Sequence, residues 1–434
     1  MAGRRALGRR FGWLWASFAV SSYGTGLGFG AFPFIAILVL HSGPTQVAVL
    51  AASGRAVGAL VAVPLGPWVE FRRKRPVMIA MDLIRFGALL TVPVTFACGL
   101  LSFAQLLVVS VVVAAANIAF NAASGSYLKS LVPPEDLLVA NSRFESTTWT
   151  STMLGPPLGG AAIGLFGPVT TVVADAVSYL LSALGIRAIG GTEPRPERTG
   201  GPRLRAGDLL DGWRYILAHP TLRPLLLNAM TVNGLIMAAE PLLAVLLLGR
   251  LGFSPWQFAL VLAASSGAGG FIGSRLARPL AARFGRRRVL RTSGTLRACW
   301  PIGLAFVTPG LPGMLVVAAL QLAMVTCIGV FNPLLATVRL EQTAPDRVAR
   351  TLTAWSISTS AAISATTALW GVLAAVTTPR TAIAVAGVLL LASPLLLPRR
   401  GETERDEQKS LERELKERQS REPAAEVPDA VEGA

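Results

Sequence analysis

The sequence contains few of the side chains that bind metals or form disulfides, with three cysteines and two histidines in 434 residues. Cys98, Cys299 and Cys327 are isolated within apolar stretches, and neither His41 nor His219 lies at a ligand-like spacing from them. Isolated cysteines in such surroundings are typically small, packed hydrophobic residues. The pattern excludes a disulfide scaffold, predicts no metal site and gives no reason to expect a cofactor.

Charged residues are also scarce, at 15% of the chain, whereas hydrophobic residues make up 52% and the mean hydropathy is +0.55. This composition is too apolar for a soluble fold of the same length, so we expect a lipid bilayer to be the solvent of the protein. The formal net charge of +16 comes from short basic clusters without a basic face interleaved with aromatic residues. That distribution excludes nucleic acid as a partner. The first apolar stretch is longer than a signal peptide and lacks a cleavage site, which predicts a retained span.

Basic residues cluster in every second loop between the apolar stretches. The clusters lie at residues 4–10, 72–75, 129–143, 187–223, 275–291 and 339–350 and in the C-terminal tail. The intervening loops contain only Arg250 and Arg380. Basic residues near the ends of spans are retained in the cytoplasm. The alternation therefore predicts a chain that crosses the membrane repeatedly, with the basic loops inside the cell.

The apolar stretches predict an all-α membrane protein with twelve transmembrane helices in two six-helix bundles, since a span needs about 20 apolar residues. The predicted spans are 11–40, 46–68, 76–98, 102–126, 138–165, 168–189, 221–248, 255–281, 288–308, 312–337, 347–376 and 380–398. The predicted organisation is a cytoplasmic N-terminus at 1–10, an N-terminal bundle at 11–189, a cytoplasmic linker at 190–220, a C-terminal bundle at 221–398 and a polar cytoplasmic tail at 399–434.

The two predicted bundles contain matching residues at a nearly constant offset. A shift of 211 residues aligns Phe120 with Phe331, Asn121 with Asn332 and Pro134 with Pro345, and a shift of 212 aligns Pro67 with Pro279, Arg75 with Arg287 and Arg85 with Arg297. Several matches at one offset indicate a duplicated six-helix unit. Because each unit has an even number of spans, the two copies are expected to have the same orientation in the membrane.

Four motifs carry a resemblance to a known family. They are Gly66-Pro-Trp-Val-Glu70-Phe-Arg-Arg-Lys-Arg75 before span three, Asp82-Leu-Ile-Arg85 in span three, Gly155-Pro156-Pro-Leu-Gly159-Gly160 in span five and Asp175-Ala-Val-Ser178 in span six. On these residues the chain resembles the major facilitator superfamily, in particular its bacterial drug-exporter branch that includes macrolide and enterobactin exporters. The span-five element is similar to the antiporter motif that separates exporters from uptake members. The resemblance covers roughly residues 10–398.

The resemblance implies a gating latch in the loop between spans two and three. In the family, the acid equivalent to Glu70 meets the N-terminus of span eleven, where unpaired amides and the helix dipole favour a carboxylate. The implied latch residues are Gly66, Glu70, Arg72, Arg73, Arg75, Asp82 and Arg85. The alternatives are that the arginines only set topology and that Asp82 and Arg85 form a structural ion pair. The second copy of the loop has Ala282 in place of the acid, which predicts an asymmetric gate.

Small residues predict close packing between spans five and eight. Gly155, Pro156, Gly159 and Gly160 give span five a strip without side chains and a proline kink, and span eight has a matching strip at Gly267–Gly273. In the family these spans pack across the interface between the bundles. We therefore expect the two strips to lie at the seam along which the bundles rock. Ordinary contacts between small residues of membrane helices are the alternative.

Ionisable residues inside the spans are few, and each is costly enough to need a partner, water or a function. They are Arg55, Asp82, Arg85, Glu145, Asp175, Glu240 and Arg297. Glu240, in a span that lines the family's cavity, is the candidate for holding a proton or a cationic substrate, because the acid that the branch often has in span one is Thr25 here. A structural hydrogen bond is its alternative role. Arg55 is a candidate counter-charge or ligand for an anionic substrate.

Further residues are candidates to line the cavity: Tyr23, Phe29, Phe32, Asn117, Phe120, Asn121, Asn233, Met237 and Asn332. The glycines at 24–30 predict a softened part of span one beside the cavity, with the general glycine enrichment of membrane helices as the alternative. The site is expected near the middle of the bilayer, between the two bundles.

The predicted function is secondary active transport, with proton-coupled efflux of amphiphilic small molecules such as drugs or secondary metabolites by alternating access. The expected partners are the small-molecule substrate, protons and the lipid bilayer of the inner or plasma membrane, and the multi-pass chain is expected to act as a monomer. Uptake of a small solute by symport is the alternative within transport. A membrane enzyme or lipid-handling protein is the alternative of another class, but no nucleophile, base and orienting residue converge, so we predict no enzymatic activity.

Overall fold

The computed structural model describes residues 7–28, 31–42, 63–191, 193, 206–250 and 255–397, together with 46, 50, 57, 58, 60 and 61. These residues contain fourteen α-helices with defined bounds and no β-strand. The helices are α1 (Gly8–Leu27), α2 (Ala31–Leu38), α3 (Leu65–Glu70), α4 (Lys74–Ala97), α5 (Phe103–Leu131), α6 (Leu137–Phe166), α7 (Pro168–Arg187), α8 (Ala206–Ala218), α9 (Leu222–Ala244), α10 (Pro255–Phe284), α11 (Arg286–Cys299), α12 (Leu311–Glu341), α13 (Val348–Val376) and α14 (Pro379–Ala392).

Eight helical stretches of the described residues are long and apolar enough to cross a membrane. They are Gly8–Ile37, Lys74–Ala97, Phe103–Leu131, Pro168–Arg187, Leu222–Leu247, Leu311–Glu341, Val348–Val376 and Pro379–Leu396. Of the other predicted spans, about half of 46–68 lies outside the described residues. Helices α6, α10 and α11 occupy the remaining three, where hydroxyl and arginine side chains lower the hydropathy. The count of twelve spans therefore stays a prediction.

Local sequence explains where several helices begin. The Ser102 hydroxyl accepts a hydrogen bond from the Gln105 backbone N–H at 3.2 Å, which caps α5. Thr378 caps α14 in the same way, through the Thr381 N–H at 3.1 Å. Gly167 has a φ of +83° between α6 and α7, a conformation that a glycine adopts without strain. These signals set ends of α5, α6, α7 and α14.

The helices form two halves, α1–α7 and α9–α14. One end of the molecule contains the arginine clusters and the ends of α3, α5, α7 and α12, and we call it the arginine-rich end. At the arginine-rich end, one buried apolar cluster combines Val69 and Leu128 of the first half with Leu340 and Val348 of the second. At the opposite end, the buried clusters of the described residues each belong to a single half. The halves are therefore joined mainly at the arginine-rich end.

One buried contact occurs in both halves at the offset found in the sequence. The Arg85 guanidinium of α4 lies 4.6 Å from the centroid of the Phe120 ring of α5. The Arg297 guanidinium of α11 lies 3.6 Å from the centroid of the Phe331 ring of α12. The two halves thus use the same cation–π pairing between equivalent helices.

Candidate functional site

A cluster of three ionic side chains joins the two halves at the arginine-rich end. Arg350 lies in the first turn of α13, and its Nε is 3.1 Å from Oε2 of Glu70 at the end of α3. Its Nη1 donates a hydrogen bond to Oδ2 of Asp211 on α8 at 2.8 Å. Glu70 also accepts a hydrogen bond from the Arg350 backbone N–H. Glu70 therefore meets the N-terminus of span eleven, and Asp211 adds the linker helix to this contact.

Burial dominates the electrostatics of Glu70, which is 9% exposed. Desolvation outweighs the attraction of Arg350 and Lys74 and raises the pKa of Glu70 to about 7. Removal from water disfavours the charged form of a carboxyl group. Glu70 consequently changes its charge near neutral pH while the arginine-rich end is closed.

Two further contacts close the arginine-rich end. A Cβ on Gly66 would lie 3.0 Å from the Thr353 Cβ, so the glycine lets α3 approach α13 closely. The Lys129 Nζ donates to the Leu340 carbonyl at 2.5 Å and also to the Thr343 carbonyl. These carbonyls lie at the C-terminus of α12, where backbone acceptors lack partners within the helix. Lys129 of the first half thus caps a helix of the second half.

The other arginines predicted for the latch contact the first half. The Arg72 guanidinium lies 5.5 Å from the centroid of the Trp68 ring. Arg75 Nη1 donates to the Gly191 carbonyl at 2.7 Å, which ties α4 to the end of α7. Arg73 immediately precedes α4, and its side chain is exposed. These contacts do not cross between the halves.

The second copy of the loop makes a different contact. There Arg286 Nη1 pairs with Glu341 Oε1 at 2.7 Å, and both residues belong to the second half. Ala282, at the position equivalent to Glu70, has no carboxylate to offer. The two copies of the loop therefore make different contacts, and the asymmetric gate stays a prediction.

Asp82 and Arg85 form a buried ion pair one turn apart on α4. Arg85 Nη1 also donates to the Asn117 Oδ1 at 3.3 Å, and the guanidinium lies 4.2 Å from the centroid of the Tyr179 ring. All of these partners belong to the first half, which supports the structural alternative for the pair. Phe120, a candidate cavity residue, is instead buried beneath Arg85 at 3% exposure, because its ring packs on the guanidinium.

Gly155 and Gly159 of the antiporter motif face α1 rather than α10. A Cβ on Gly155 would fall 2.5 Å from the Gly26 Cα, and one on Gly159 would overlap the Leu27 backbone. Nothing lies within 4 Å of the position of a Cβ on Gly160. The expectation that the two glycine strips face each other is therefore wrong. The strip on α6 serves close packing inside the first half.

Helices α6 and α10 do pack together across the two halves, but bulky side chains occupy the α6 side of the seam. Any side chain on Gly270 would overlap the Trp149 ring, and one on Gly267 would overlap Met153. Trp149 and Met153 lie one turn apart on α6, as Gly270 and Gly267 do on α10. The glycines of α10 thus leave room for large side chains of α6. The glycines of α6 lie on a different face of that helix, against α1.

The glycines of span one are also packing positions. A Cβ on Gly24 would overlap the Ser178 side chain, and one on Gly28 would lie 3.2 Å from Asp175. The close approach of α1 and α7 lets the Thr25 hydroxyl donate to Asp175 Oδ1 at 3.3 Å. At Gly24 and Gly28, helix packing therefore replaces the expected position beside a cavity.

Two predicted cavity residues of α5 border the space between the halves. Asn117 and Asn121 are exposed and share a helix face with Gly125, since their spacing is four residues. A side chain on Gly125 would overlap Leu352 of α13. The shared face of α5 is thus directed towards the second half, and both asparagines lie along it.

A second polar face occurs on α9. Asn233, Met237 and Glu240 follow the spacing of one helix face, and the latter two are exposed. The neighbouring Gly234 packs against Thr366 of α13, where a Cβ would lie 2.8 Å from the hydroxyl oxygen.

The remaining predicted cavity residues are dispersed. The Tyr23 hydroxyl donates to Thr150 Oγ1 at 3.0 Å, which links α1 to α6. Phe32 packs against the apolar cluster at the opposite end of the first half. Arg55 and Phe29 lie outside the described residues.

Glu145 is an interface residue for which the sequence analysis gave no specific role. Its Oε1 accepts hydrogen bonds from the Asn332 Nδ2 at 2.7 Å and from the Trp149 Nε1 at 2.9 Å. Asn332 belongs to α12, so this contact joins the two halves. The signal in the sequence was an ionisable residue inside a span, but its partner is 187 residues away.

The linker helix α8 is another feature that the sequence analysis did not predict. The Trp213 Nε1 donates to the Ser358 Oγ of α13 at 2.8 Å. Ile357 is the buried centre of a small apolar cluster that includes Trp213, Leu65 of α3 and Ile118 of α5. Trp213 therefore fills space between the two halves near the ion cluster.

Comparison with known proteins places this geometry in a family. Residues 7–424 match the family described as "Transmembrane secretion effector". The "Multidrug efflux pump Tap" of Mycobacterium tuberculosis (strain ATCC 25618 / H37Rv) is 24% identical over 307 residues, which cover 69% of this chain and 72% of that protein.

Solved structures share the fold. A bacterial homologue of the iron transporter ferroportin, in an outward-facing state, has a TM-score of 0.78 at 16% identity, covering 90% of this chain and 98% of that one. The human organic anion transporter MFSD10 (TETRAN) has a TM-score of 0.72 at 16% identity, covering 89% and 99%. The chain therefore belongs to the transmembrane secretion effector family of the major facilitator superfamily.

Proposed function

We propose that this protein exports amphiphilic small molecules, such as drugs or secondary metabolites, in exchange for protons by alternating access. The proposal includes twelve spans in two six-helix bundles, with both termini and the linker in the cytoplasm. The arginine-rich end then faces the cytoplasm, because basic loops are retained there.

The uneven distribution of contacts between the halves carries the alternating-access part of the proposal. The Glu70–Arg350 pair, the Lys129 cap and a shared apolar cluster all join the halves at the arginine-rich end. The buried clusters of the described residues at the opposite end are each confined to one half. A bundle joined at one end presents a midplane site to the other side of the membrane. The conformation is accordingly an outward-facing one.

Two observations support export and the substrate class. The span-five element is similar to an antiporter motif, and a relative at 24% identity is called a multidrug efflux pump. The faces that carry Asn117 and Asn121 on α5, and Asn233, Met237 and Glu240 on α9, mix polar and apolar side chains, as amphiphilic ligands require. In this scheme Glu240 holds a cationic group of the substrate or a proton.

Glu70 and Gly66 act in the proposal as the latch of the cytoplasmic gate, and the neighbouring arginines act as topological anchors. A carboxylate at a helix N-terminus contributes about 0.3–1 kcal/mol. A contribution of this size shifts a balanced equilibrium between two conformations but does not hold the protein in one of them. The gate can therefore open once per transport cycle.

Transport of ethidium in everted membrane vesicles tests the proposal. An acidic vesicle interior reproduces the natural proton gradient, so vesicles that contain the protein should accumulate ethidium until nigericin collapses the gradient. Glu240→Gln should reduce this accumulation, and normal accumulation would remove Glu240 from both proposed roles. Proton-driven movement of ethidium out of the everted vesicles would indicate symport instead.

A further inference from the structure

We infer that α5 and α13 form a binding subsite for an uncharged part of the substrate that carries several hydroxyl groups, as a sugar does. The subsite comprises Asn117 and Asn121 of α5 and Ser356 and Ser360 of α13, and we call it the amide–hydroxyl subsite. The inference deepens the proposed function and rests on it, because it names the chemical class of a substrate that binds between the two halves.

The packing of α5 against α13 places these side chains at matching levels. The arginine-rich end contains the last turn of α5 and the first turn of α13, so the two helices run in opposite directions. Gly125 fixes their register, because a Cβ on it would lie 2.4 Å from Cδ1 of Leu352. Four residues further from the arginine-rich end on each helix, or about 6 Å, Asn121 is at the level of Ser356.

Open space lies beside these side chains. By the same spacing, Asn117 is at the level of Ser360, one further turn from the arginine-rich end. Both asparagines are exposed, and both serines are partly exposed. The asparagines share a helix face with Gly125, and the serines share one with Leu352. These faces meet at Gly125, so the contact of the glycine with Leu352 forms the floor of the space.

Apolar side chains hold the two helices close together beside the subsite. Ile357 of α13 and Ile118 of α5 belong to one apolar cluster, and each is next to a subsite residue in the chain. Side chains from both helices can therefore reach the same ligand group. Leu65 of α3 belongs to the same cluster and closes the side of the subsite that faces span two.

The subsite offers hydrogen-bonding groups to a ligand. The Asn117 Oδ1 accepts from Arg85 Nη1 at 3.3 Å, which leaves the Asn117 Nδ2 as a donor. Within the part of the chain that the structure describes, the Asn121 amide and the hydroxyls of Ser356 and Ser360 have no hydrogen-bond partner. Serine hydroxyls inside helices often bond to a carbonyl of the preceding turn. The two serines of the subsite instead keep their hydroxyls for a ligand.

The chemistry of the subsite favours an uncharged ligand group. All four of its side chains are neutral, and the Arg85 guanidinium that reaches Asn117 is paired with Asp82. A charged group would lose hydration here without gaining an opposite charge. A hydroxyl group both donates and accepts, which matches amide and hydroxyl side chains. Two levels about 6 Å apart suit a group with several hydroxyls.

Glu240 lies farther from the arginine-rich end than the subsite does. Helices α9 and α13 both begin at that end, and Gly234 of α9 packs against Thr366 of α13. Glu240 is six residues beyond Gly234, towards the opposite end. Ser360 is six residues before Thr366, towards the arginine-rich end. At 1.5 Å per residue, the two groups are roughly 18 Å apart along the bundle. The subsite therefore takes a different part of the substrate from the one at Glu240.

Two neutral coumarins that differ in their hydroxyl groups test the inference. Methylumbelliferyl β-glucoside carries a sugar, whereas methylumbelliferyl ethyl ether has an ethyl group in its place. Isothermal titration calorimetry gives their dissociation constants for the full chain in lipid nanodiscs, with empty nanodiscs as the blank. The glucoside should bind about ten times more tightly than the ether, because it alone can form several hydrogen bonds in the subsite.

Single substitutions assign this preference to the subsite. Asn121→Ala and Ser356→Ala should each weaken binding of the glucoside about 5-fold and leave binding of the ether unchanged. Ser356→Thr keeps the hydroxyl and should bind the glucoside as the unmodified chain does. Thr359→Ala is the matched control on the same helix, because the Thr359 hydroxyl donates to the Trp355 carbonyl at 2.9 Å.

Equal affinities of the unmodified chain for the two coumarins, including binding of neither, would overturn the inference. A loss of glucoside affinity in Thr359→Ala as large as that in Ser356→Ala would also overturn it, and so would a parallel loss of both ligands in Asn121→Ala and Ser356→Ala.

The coumarin measurements do not depend on transport, so the two proposals can fail separately. If the glucoside binds as predicted but vesicles do not transport ethidium, the proposed export of ethidium-like substrates is refuted and the subsite is retained. If vesicles transport ethidium but the two coumarins bind equally, only the subsite is refuted.

Discussion

Single glycines set the distance between α1 and α6. Gly155 lies against the Gly26 backbone, which cannot move aside as a flexible side chain would, whereas Gly160 faces open space. The two positions belong to the same motif, yet only one of them carries a packing constraint. A substitution of Gly160 is therefore the matched control for the same substitution of Gly155.

Gly155→Ala is expected to destabilise the protein by about 1–3 kcal/mol, because the added methyl group forces α1 and α6 apart. Gly160→Ala should be neutral or slightly stabilising, since alanine is the better helix former. Thermal unfolding in detergent measures the difference. Equal melting temperatures for the two variants would show that the α1–α6 contact is looser than the structure indicates.

The raised pKa of Glu70 predicts how the stability of the folded protein depends on pH. Its pKa is raised from 4.5 to about 7 in the folded protein, so between these values the folded state holds a proton that the unfolded chain has released. Stability should therefore fall as the pH rises through this window and level off above it.

Glu70→Gln removes the titrating group and should flatten this part of the profile, as measured by melting temperatures from pH 4 to pH 8. Glu135→Gln, with its exposed carboxyl, should keep the slope of the unmodified protein. An unchanged slope in Glu70→Gln would contradict the burial of Glu70.

The contacts of single residues could be predicted from the sequence where the two partners are close in the chain or where the motif is known. Asp82 and Arg85 are one turn apart, and the partner region of Glu70 followed from the family resemblance. The partners of Glu145 and Gly155 depend on how helices rotate against each other, which a single sequence does not specify. For that reason the glycine strips were paired wrongly and Glu145 received no specific role.

At the scale of elements, the linker helix α8 is the unexpected component. It contributes Asp211 to the ion cluster and Trp213 to the cluster around Ile357. The contact between the halves at the arginine-rich end is therefore built from three parts of the chain, namely the first half, the second half and the segment that connects them.

Trp213→Ala should make the arginine-rich end open more readily, because it removes the ring from between the halves and the hydrogen bond to Ser358. A loss of about 1–2 kcal/mol corresponds to a factor of about 5–30 in the open population. The rate at which maleimide labels Ser126→Cys, buried at 9% exposure, reports that population in everted vesicles. Leu217→Ala, at a position 51% exposed, is the control and should leave the rate unchanged. An equal rate in both variants would exclude Trp213 from the gate.

Long apolar or small-residue stretches predicted helix positions well. Span five was expected at 138–165 and α6 is Leu137–Phe166, while span eight was expected at 255–281 and α10 is Pro255–Phe284. Helix α8 was missed because its 13 residues lie within a polar, basic segment and gain their stability from packing on α13. Its docking site exists only in the folded protein.

For the whole molecule, the offset between the halves predicted a duplicated six-helix unit, and the equivalent cation–π pairs of Arg85 and Arg297 agree with that prediction. The acid missing at Ala282 indicated that the gate would be asymmetric. The orientation of the protein in the membrane depends on the retention of basic loops in the cytoplasm and not on the fold. It therefore needs its own experiment.

An impermeant maleimide should label Leu100→Cys and Leu311→Cys in intact cells, because the opposite end is expected outside. Arg73→Cys and Arg288→Cys should react only after the membrane is permeabilised, since both lie at the arginine-rich end. Labelling of Arg73→Cys in intact cells would show that the orientation is opposite to the proposed one. The assigned direction of transport would then also be reversed.

Proton movement driven by ethidium tests the central claim most directly. Purified protein is reconstituted in liposomes that contain the pH indicator pyranine, and an ethidium gradient is imposed without any initial pH gradient. We predict that protons move against the direction of ethidium flow and that Glu240→Gln reduces this proton movement. Proton movement in the same direction as ethidium, or ethidium transport without proton movement in the unmodified protein, would contradict proton-coupled export.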